Sequence, residues 1–181
     1  TDIEIQITSR SSLAAGADAK PLTVGARKLV DILRALPEGA EVTLQQQDKR
    51  LQVKAGKSRF TLQTLPAEDF PKLAKPAGDV TRFALPQKAL RRLLGLVQYA
   101  MAQQDIRYYL NGLLVLVEDQ QLRLVATDGH RLAYAAMPLA SSLPRQEVIV
   151  PRKTILELSK LLADTDEEVR IELSAGQAAF G

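Results

Sequence analysis

The chain has 181 residues, of which 46% are hydrophobic and 25% are charged, as is usual for a soluble globular protein of one or two domains. It has no cysteine and one histidine, His130, so disulfides, thiolate metal sites and multi-histidine metal sites are excluded. The sequence contains no run of eighteen apolar residues, so no transmembrane helix is predicted, and we see no pattern that predicts a secretory signal. The net charge of +3 is too small to indicate nucleic-acid binding by itself.

The first half of the chain predicts short strands around one amphipathic helix. Ile3, Ile5 and Ile7 alternate with polar residues, which predicts a half-buried strand. Apolar residues at helical spacing predict a helix over 27–36, and the sequence Pro-Glu-Gly at 37–39 ends it. The other predicted elements are strands at 42–46, 50–54 and 59–65, of which the first two form a hairpin.

The second half predicts a similar mixture. A helix over 85–101 has the clearest apolar stripe, and another covers 151–162 with Pro151 in its first turn. Strands are predicted at 108–117, 121–127, 131–137, 148–150 and 169–173, the first two joined by a turn at 118–119. Because strands and helices interleave without a regular β-α-β rhythm, we predict an α+β fold with antiparallel sheets.

An internal repeat relates the two halves. Three dipeptides recur 125 to 127 positions apart, namely Thr1-Asp2 with Thr127-Asp128, Arg27-Lys28 with Arg152-Lys153, and Glu41-Val42 with Glu168-Val169. A linker rich in proline and glycine precedes Asp79. We therefore expect an internal fragment of a longer repeat protein, with a first module at 1–78 that lacks its front and a second module at 79–181 that lacks its end.

Cationic residues collect on the exposed faces of the three predicted helices. They are Arg27, Lys28 and Arg34 on the first helix, Lys88, Arg91 and Arg92 on the second, and Arg152, Lys153 and Lys160 on the third. Such segregation suits contact with a phosphate backbone, although charged helix faces are also ordinary solvated surface. Because no base-reading motif, zinc finger or arginine-rich arm is present, any duplex is expected to be bound without sequence preference.

The segment 103–112 carries two adjacent tyrosines, Tyr108 and Tyr109, beside Arg107. These side chains can stack on bases or donate to phosphates. The alternative is that adjacent residues of a strand face opposite ways, in which case one tyrosine belongs to the core.

The segment 125–135 places His130 beside Asp128 at a turn between two strands. A hydrolase would need a nucleophile oriented against this histidine, and no nucleophile-elbow, Walker or dinucleotide-binding pattern occurs in the chain. A turn histidine in contact with solvent is therefore favoured over a catalytic one.

The segment 57–71 contains a short strand on which Phe60, Leu62 and Thr64 share one face. Lys57 and Arg59 flank it. An edge strand of this kind can pair with another chain, and the alternative is an ordinary core strand with charged flanks.

These stretches together resemble the bacterial sliding clamp family, the beta subunits of DNA polymerase III. The matching segments are VGARK, LPEGAEV, KSRFTLQTLPAEDFP, QQDIRYYLNG, VATDGHRLAYA and VIVPRK. The resemblance implies the DNA-clamp fold, in which repeated modules of antiparallel sheets carry amphipathic helices on an inner face. It also implies three modules per subunit and a homodimeric ring around duplex DNA, of which this chain covers the later part of the first module and most of the second.

The resemblance further implies a non-enzymatic processivity factor that tethers polymerases, the clamp loader and repair proteins through short peptide motifs. No cofactor, metal or membrane is expected, and the implied location is the cytoplasm, at the nucleoid. The alternative is a sequence-independent DNA-binding repeat protein without ring closure.

Three sets of site residues follow from the resemblance. The DNA-facing residues are Arg27, Lys28, Gln104, Tyr108, Tyr109, Arg152 and Lys153. One wall of a peptide-binding pocket is Leu110, Thr127, Gly129, His130, Arg131 and Leu132. One half of the subunit interface is Lys28, Arg50, Lys57, Arg59, Phe60 and Leu62. The facing wall and the facing half belong to sequence outside this chain, so we expect the chain alone to bind such peptides weakly.

Overall fold

The computed structural model describes residues 4–12, 20–74, 76 and 78–181. The chain folds as two compact units, Thr1–Leu73 and Ala74–Gly181. Every strand pairing among the described residues is antiparallel, and helices accompany the sheets, which confirms the predicted α+β class.

The first unit is a four-stranded sheet with one helix. Its elements are β1 (Leu22–Val24), α1 (Ala26–Ala35), β2 (Thr43–Gln47), β3 (Arg50–Ala55) and β4 (Ser58–Pro66), followed by a 3₁₀ turn at Ala67–Asp69. The strands lie in the order β1-β4-β3-β2. Leu51 and Val53 alternate along β3 and so share a face, and Leu29 and Ile32 of α1 pack against the cluster that they form with Leu62. The amphipathic helix therefore covers one face of the sheet.

The helix and three strands predicted over 27–65 are confirmed, with their ends shifted by a single residue at most. The strand predicted at 3–7 is wrong for the residues that the structure describes, because 4–12 are irregular and Ile3 lies outside the described residues. Alternation makes a strand only where a neighbouring strand offers hydrogen bonds, and none of the described strands pairs with this segment. The backbone N–H of Leu73 donates instead to the side-chain oxygen of Gln6, at 3.1 Å.

The second unit contains a three-stranded sheet, a long two-stranded ribbon and two helices. Its elements are β5 (Thr81–Pro86), α2 (Gln87–Val97), β6 (Gly112–Thr127), β7 (Leu132–Pro151), α3 (Arg152–Leu161), β8 (Glu168–Ser174) and β9 (Gln177–Phe180), with 3₁₀ turns at Gln98–Ala100 and Tyr108–Leu110. The three-stranded sheet has the order β5-β8-β9, and β6 pairs with β7. The predicted stripe of α2 is buried in one core with residues of the ribbon and of α3. Each buried leucine there contributes about 1.5–3 kcal/mol.

Four predictions in this half need correction. The strands predicted at 131–137 and 148–150 are parts of one continuous strand, β7. The turn predicted at 118–119 is wrong, because β6 runs through it and reverses only at 128–131; Asp119 instead takes a left-handed φ of 53° at a register shift. The predicted strand 108–117 begins at Gly112, because 108–110 form the 3₁₀ turn. The predicted helix 85–101 spans only Gln87–Val97, since the residues up to Pro86 pair with β8 and Gln98–Ala100 form a 3₁₀ turn.

The internal repeat has a structural counterpart. In each unit a strand leads directly into a ten-residue helix, and a hairpin follows after a loop. The helices begin at Ala26 and Arg152, which are 126 positions apart, and the hairpins begin at Thr43 and Glu168, which are 125 apart. The spacing of the dipeptides in the sequence therefore reflects a repeated order of elements.

Candidate functional site

Each of the three α-helices in the described part of the chain has one or two cations in its first turn, where the helix dipole disfavours positive charge. None has an acidic residue in its first turn, and the residues that precede them, Gly25, Pro86 and Pro151, make no side-chain capping bond. The first-turn cations are Arg27 and Lys28 in α1, Lys88 in α2, and Arg152 and Lys153 in α3. The positive end of a helix dipole lies at its N-terminus, so a cation there is disfavoured by about 0.3–1 kcal/mol unless an anion lies beside it, as Asp166 lies beside Lys88 at 2.6 Å. The arrangement suits contact with an anion at the N-terminal ends of these helices.

The two arginines at the repeat-related helix starts have different surroundings. Arg27 is exposed on α1. Arg152 is half-buried, and its Nη1 donates to the carbonyl of Met101 at 3.2 Å while its backbone N–H donates to the carbonyl of Asn111 at 2.9 Å. Arg152 therefore anchors the start of α3 to the segment that precedes β6.

That segment contains the tyrosine loop, which we define as residues 103–111. Tyr108 is 82% exposed and Tyr109 is 49% exposed, and their rings meet edge to face with centroids 5.8 Å apart. The expectation that one tyrosine belongs to the core is wrong, because both lie in a 3₁₀ turn rather than in a strand and so do not face opposite sides of a sheet. Gln104 is also exposed, with a left-handed φ of 58°.

Asp105 and Asn111 close the tyrosine loop at its base. The backbone N–H of Asp105 donates to Oδ1 of Asn111 at 2.9 Å, and Nδ2 of Asn111 donates to the carbonyl of Asp105 at 2.7 Å. Asp105 Oδ1 in turn accepts the backbone N–H of Arg107 at 2.8 Å. Side chains thus fix the backbone of an exposed loop that has no strand partner of its own.

The carboxylate of Asp105 also holds the guanidinium of Arg107 by two bonds. Nε donates to Oδ1 at 3.0 Å and Nη2 donates to Oδ2 at 2.9 Å. The side-chain bonds from Arg107, followed by its backbone N–H bond, lower the pKa of Asp105 to about 2. The carboxylate is therefore ionised throughout the neutral pH range.

The second candidate element is the histidine turn, which we define as residues 128–131. Asp128 Oδ1 accepts the backbone N–H groups of His130 and Arg131, both at 3.0 Å, and these bonds lower the pKa of Asp128. The Thr127 hydroxyl donates to the carbonyl of Arg131 at 2.7 Å and accepts the N–H of Gly129 at 3.1 Å. The turn is thus held by its own side chains.

The residues predicted for the peptide pocket have unequal exposure. Leu132 is 65% exposed at the start of β7, whereas Leu110 is 7% exposed and belongs to the folded interior. His130 is exposed, and no serine or threonine hydroxyl hydrogen-bonds its imidazole within the described residues. No group of three or more histidine, aspartate or glutamate side chains in the same residues is placed to hold a metal ion.

The residues predicted for the subunit interface lie on β3, β4 and α1. The first part of β4, residues 58–63, pairs with β3 on one side, and among the described strands β1 covers only 64–66 on the other side. Arg59 and Lys57 are exposed, Phe60 is partly buried, and Leu62 is 7% exposed within the core of the unit. Lys57 and Arg59 therefore lie at the part of β4 that has an edge without a partner among the described strands, while Leu62 packs inside its own unit.

Sequence reasoning missed the residues that shape these elements. Asp105 and Tyr99 received no role, although Tyr99 supplies a carbonyl that accepts Nη2 of Arg131 at 2.7 Å. Asn111 was considered only as part of a possible turn or bulge at 110–112. The available signal was local. An aspartate two positions before an arginine and a Leu-Asn-Gly sequence are typical of side-chain-capped turns.

Comparison with known proteins identifies the family. A family model described as the central domain of the DNA polymerase III beta subunit matches residues 84–181, and one described as its N-terminal domain matches residues 1–74. The chain belongs to the DNA polymerase III beta subunit family. The resemblance carried by the sequence motifs is therefore confirmed, and the two family domains match separate parts of the chain.

Named relatives and solved structures agree. The beta sliding clamp of Escherichia coli K12 is 47% identical over 175 residues, which are 97% of this chain and 48% of the relative. The beta sliding clamp of Pseudomonas putida KT2440 is 49% identical, over 96% of this chain and 47% of the relative. The crystal structure of the DNA polymerase III subunit beta from Pseudomonas aeruginosa matches with a TM-score of 0.86 and 47% identity, over 93% of this chain and 47% of that one.

The chain spans about half the length of the DNA polymerase III beta subunits that it matches. The structural similarity confirms the clamp fold. In the described residues, no helix has the length and apolar character that crossing a bilayer requires.

Proposed function

We propose that this chain forms part of a ring-shaped sliding clamp, a DNA polymerase processivity factor that encircles duplex DNA without sequence preference. Family membership supports the proposal, and one observation carries it. The repeat-related helices α1 and α3 both place two cations in the first turn, where the helix dipole opposes them. Both units thus place cations where the helix dipole makes them unfavourable for stability. Contact of these cations with DNA phosphates would explain why the same unfavourable placement occurs twice. The names of the relatives favour a clamp over a DNA-binding repeat protein without ring closure.

We assign residues 1–78 to the later part of a first clamp module and residues 79–181 to a second module that is incomplete at its C-terminal end. The ranges matched by the two family models support this assignment, as does the division of the chain near Leu73. The shared order of strand, helix and hairpin at a spacing of 125–126 residues supports it further.

The mechanism depends on weak contact rather than tight grip. Non-specific DNA binding has a Kd of about 10⁻⁴ to 10⁻⁶ M at physiological salt, which by itself releases a protein quickly. A closed ring prevents sideways escape while loose contacts permit sliding, so a chain with a net charge of only +3 suits the task. A polymerase tethered to the ring gains effective concentration at the primer end.

The DNA-facing residues of this proposal are the first-turn pairs Arg27-Lys28 and Arg152-Lys153, together with Gln104, Tyr108 and Tyr109. The exposure of both tyrosines supports a contact role, since a phenol at the tip of a loop can stack or donate to a phosphate. One guanidinium nitrogen of Arg152, Nη1, already donates to the carbonyl of Met101. Its contribution to DNA binding is therefore expected to be smaller than that of Arg27.

For partners, we propose that short peptides of polymerases, the clamp loader and repair proteins dock beside the histidine turn. Leu132 offers the largest exposed apolar surface there, next to the side-chain-fixed backbone of Gly129, His130 and Arg131. Leu110 is buried and would support the pocket from beneath rather than line it. The proposed role is tethering, without catalysis or cofactor, in the cytoplasm at the nucleoid.

For assembly, we propose that the free edge of β4 at 58–63 pairs with another subunit in a homodimeric ring. An open row of backbone donors and acceptors is a template for a further strand. The proposed interface cations, Lys57 and Arg59 at the start of β4 with Lys28 of α1 and Arg50 of β3, would then select an acidic partner surface. Phe60 lies partly exposed on the same strand, whereas Leu62 stabilises the unit from inside.

The experiment that tests this function uses the full-length protein loaded on nicked circular DNA. We expect slow dissociation from the circle and fast dissociation once a restriction enzyme makes the DNA linear, because a ring slides off an end. Equal dissociation rates from both forms would contradict encirclement. A nicked circle that lacks the restriction site, and so stays circular when the enzyme is added, serves as the control.

A further inference from the structure

The tyrosine loop and the histidine turn of the second unit meet at the side chain of Arg107. The guanidinium of Arg107, in the tyrosine loop, lies against the backbone of Gly129, in the histidine turn. A methyl group at Gly129 would lie 3.1 Å from Nη2 of Arg107 and 3.5 Å from its Nη1. Glycine, with a left-handed φ of 88°, leaves room for this approach.

Arg107 reaches the turn in a defined orientation because Asp105 holds it. Two parallel bonds, at 3.0 and 2.9 Å, fix the plane of the guanidinium, as is typical of arginine–carboxylate pairs. Asp105 is itself fixed by the two bonds that its backbone makes with Asn111. His130 also lies close enough to Asp105 to contribute to the lowering of its pKa.

The backbone of the same arginine also closes the turn that carries the two tyrosines. Its carbonyl accepts the N–H of Leu110 at 2.9 Å, and this bond closes the 3₁₀ turn that carries Tyr108 and Tyr109. Its N–H is bonded to Asp105 at 2.8 Å. The backbone of Arg107 thus supports the tyrosines, while its side chain supports the histidine turn.

We propose that the Asp105–Arg107 pair is a positioning device that holds the tyrosine loop and the histidine turn in one arrangement, so that DNA contact and peptide binding depend on the same pair. This inference rests on the proposed function, which assigns DNA contact to the loop and peptide binding to the turn. The side chains of Arg107 and Asp105 are 48% and 22% exposed, so the pair contributes little to folding stability. The two parallel hydrogen bonds between Asp105 and Arg107 therefore serve to orient the tyrosine loop and the histidine turn.

The test measures both affinities in the full-length protein carrying Asp105→Asn. Electrostatics alone predicts tighter DNA binding, because the substitution removes a negative charge near the DNA-facing loop. Positioning predicts weaker binding of DNA and of peptide alike, by about three-fold or more each. The two explanations therefore differ in sign for DNA. The probes are a fluorescent polymerase-tail peptide and a short fluorescent duplex at low salt, both followed by anisotropy.

Asp119→Asn is the matched control. It makes the same change of charge at an exposed residue, roughly 30 Å from the histidine turn along β6, and asparagine tolerates the left-handed backbone there. We expect unchanged peptide affinity and DNA binding that is equal or slightly tighter. Arg107→Lys keeps the charge of the loop but loses the paired bonds, so it should weaken both affinities as well.

The outcomes separate this inference from the proposed function. Wild-type protein that binds neither probe would overturn both. Wild-type protein that binds both probes, with Asp105→Asn indistinguishable from Asp119→Asn, would overturn the positioning role alone, as would a loss confined to one of the two affinities. If circular dichroism shows that Asp105→Asn is unfolded, Arg107→Lys decides the question by the same two measurements.

Discussion

The guanidinium of Arg131 lies over the ring of Tyr99, with its carbon 5.3 Å from the ring centroid, and its Nη2 donates to the carbonyl of the same tyrosine at 2.7 Å. A second hydrogen bond joins its Nε to Oδ2 of Asp128 at 3.0 Å. One side chain thus links the turn between β6 and β7 to the 3₁₀ turn that follows α2. The position of the histidine turn on the second unit depends on this link.

Tyr99→Leu should lower the free energy of unfolding by about 0.5–1 kcal/mol, because the cation–π contact is lost while the backbone carbonyl bond remains. Tyr134→Leu is the matched control, since Tyr134 has the same 57% exposure as Tyr99 and makes no described ring contact. Urea denaturation of both variants checks the prediction. Equal losses would show that the contact contributes nothing.

Leu132→Arg in the full-length protein should weaken binding of a polymerase-tail peptide by about ten-fold or more, because an apolar contact at the centre of an interface is replaced by a charge. Leu161→Arg is the control, since Leu161 is also 65% exposed but lies at the end of α3. Fluorescence anisotropy measures both. Affinity that is unchanged in Leu132→Arg would remove Leu132 from the proposed pocket.

Arg27→Ala should reduce the salt dependence of DNA binding by the full-length protein, because Arg27 is exposed on α1 and belongs to the proposed DNA-facing residues alone. Each phosphate contact contributes about 0.9 to the slope of log K against log salt concentration, so the slope should fall by up to that amount. Lys49→Ala removes a cation from the hairpin turn between β2 and β3 of the same unit and should leave the slope unchanged. Titrations at four salt concentrations distinguish the two, and equal slopes would contradict a DNA-facing role for α1.

Acid should disturb the tyrosine loop only at very low pH. The bonds from Arg107 lower the pKa of Asp105 from 3.8 to about 2. A pKa that is lower in the folded state means that stabilisation is complete above about pH 5 and is lost as the pH falls toward 2. A ¹³C NMR titration of the Asp105 carboxyl should show its midpoint near 2.

Arg107→Gln supplies the control for that titration, since it removes the main cause of the shift. The midpoint of Asp105 should then move back toward 3.8. A midpoint that stays near 2 in Arg107→Gln would assign the shift to other groups and remove Arg107 as its cause.

Local patterning predicted much of the fold. The helix at Ala26–Ala35 and the hairpin of β2 and β3 follow from apolar periodicity and turn residues that act within a few positions. The strands β1 and β9 were missed because they are only three and four residues long. The strand β5 does alternate exposed Arg82 and Ala84 with the more buried Phe83 and Leu85, but it runs directly into α2, and its last residues were assigned to that helix. Residues 118–119 show the opposite error. A turn-forming pair lies within β6, because continuous pairing with β7 absorbs it as an irregularity.

The sequence by itself determined the family and the residue types at the site. The motifs around Tyr108 and His130, and the cations in the first turn of each helix, are local features of the sequence that can be recognised without knowing how the chain packs. Only the tertiary structure decided that both tyrosines are exposed, that Leu110 and Leu62 are buried and that Arg107 meets Gly129. Each of these depends on residues distant in sequence being brought to one place. Burial and close approach are properties of the packed core and the ribbon, and a one-dimensional pattern does not contain them.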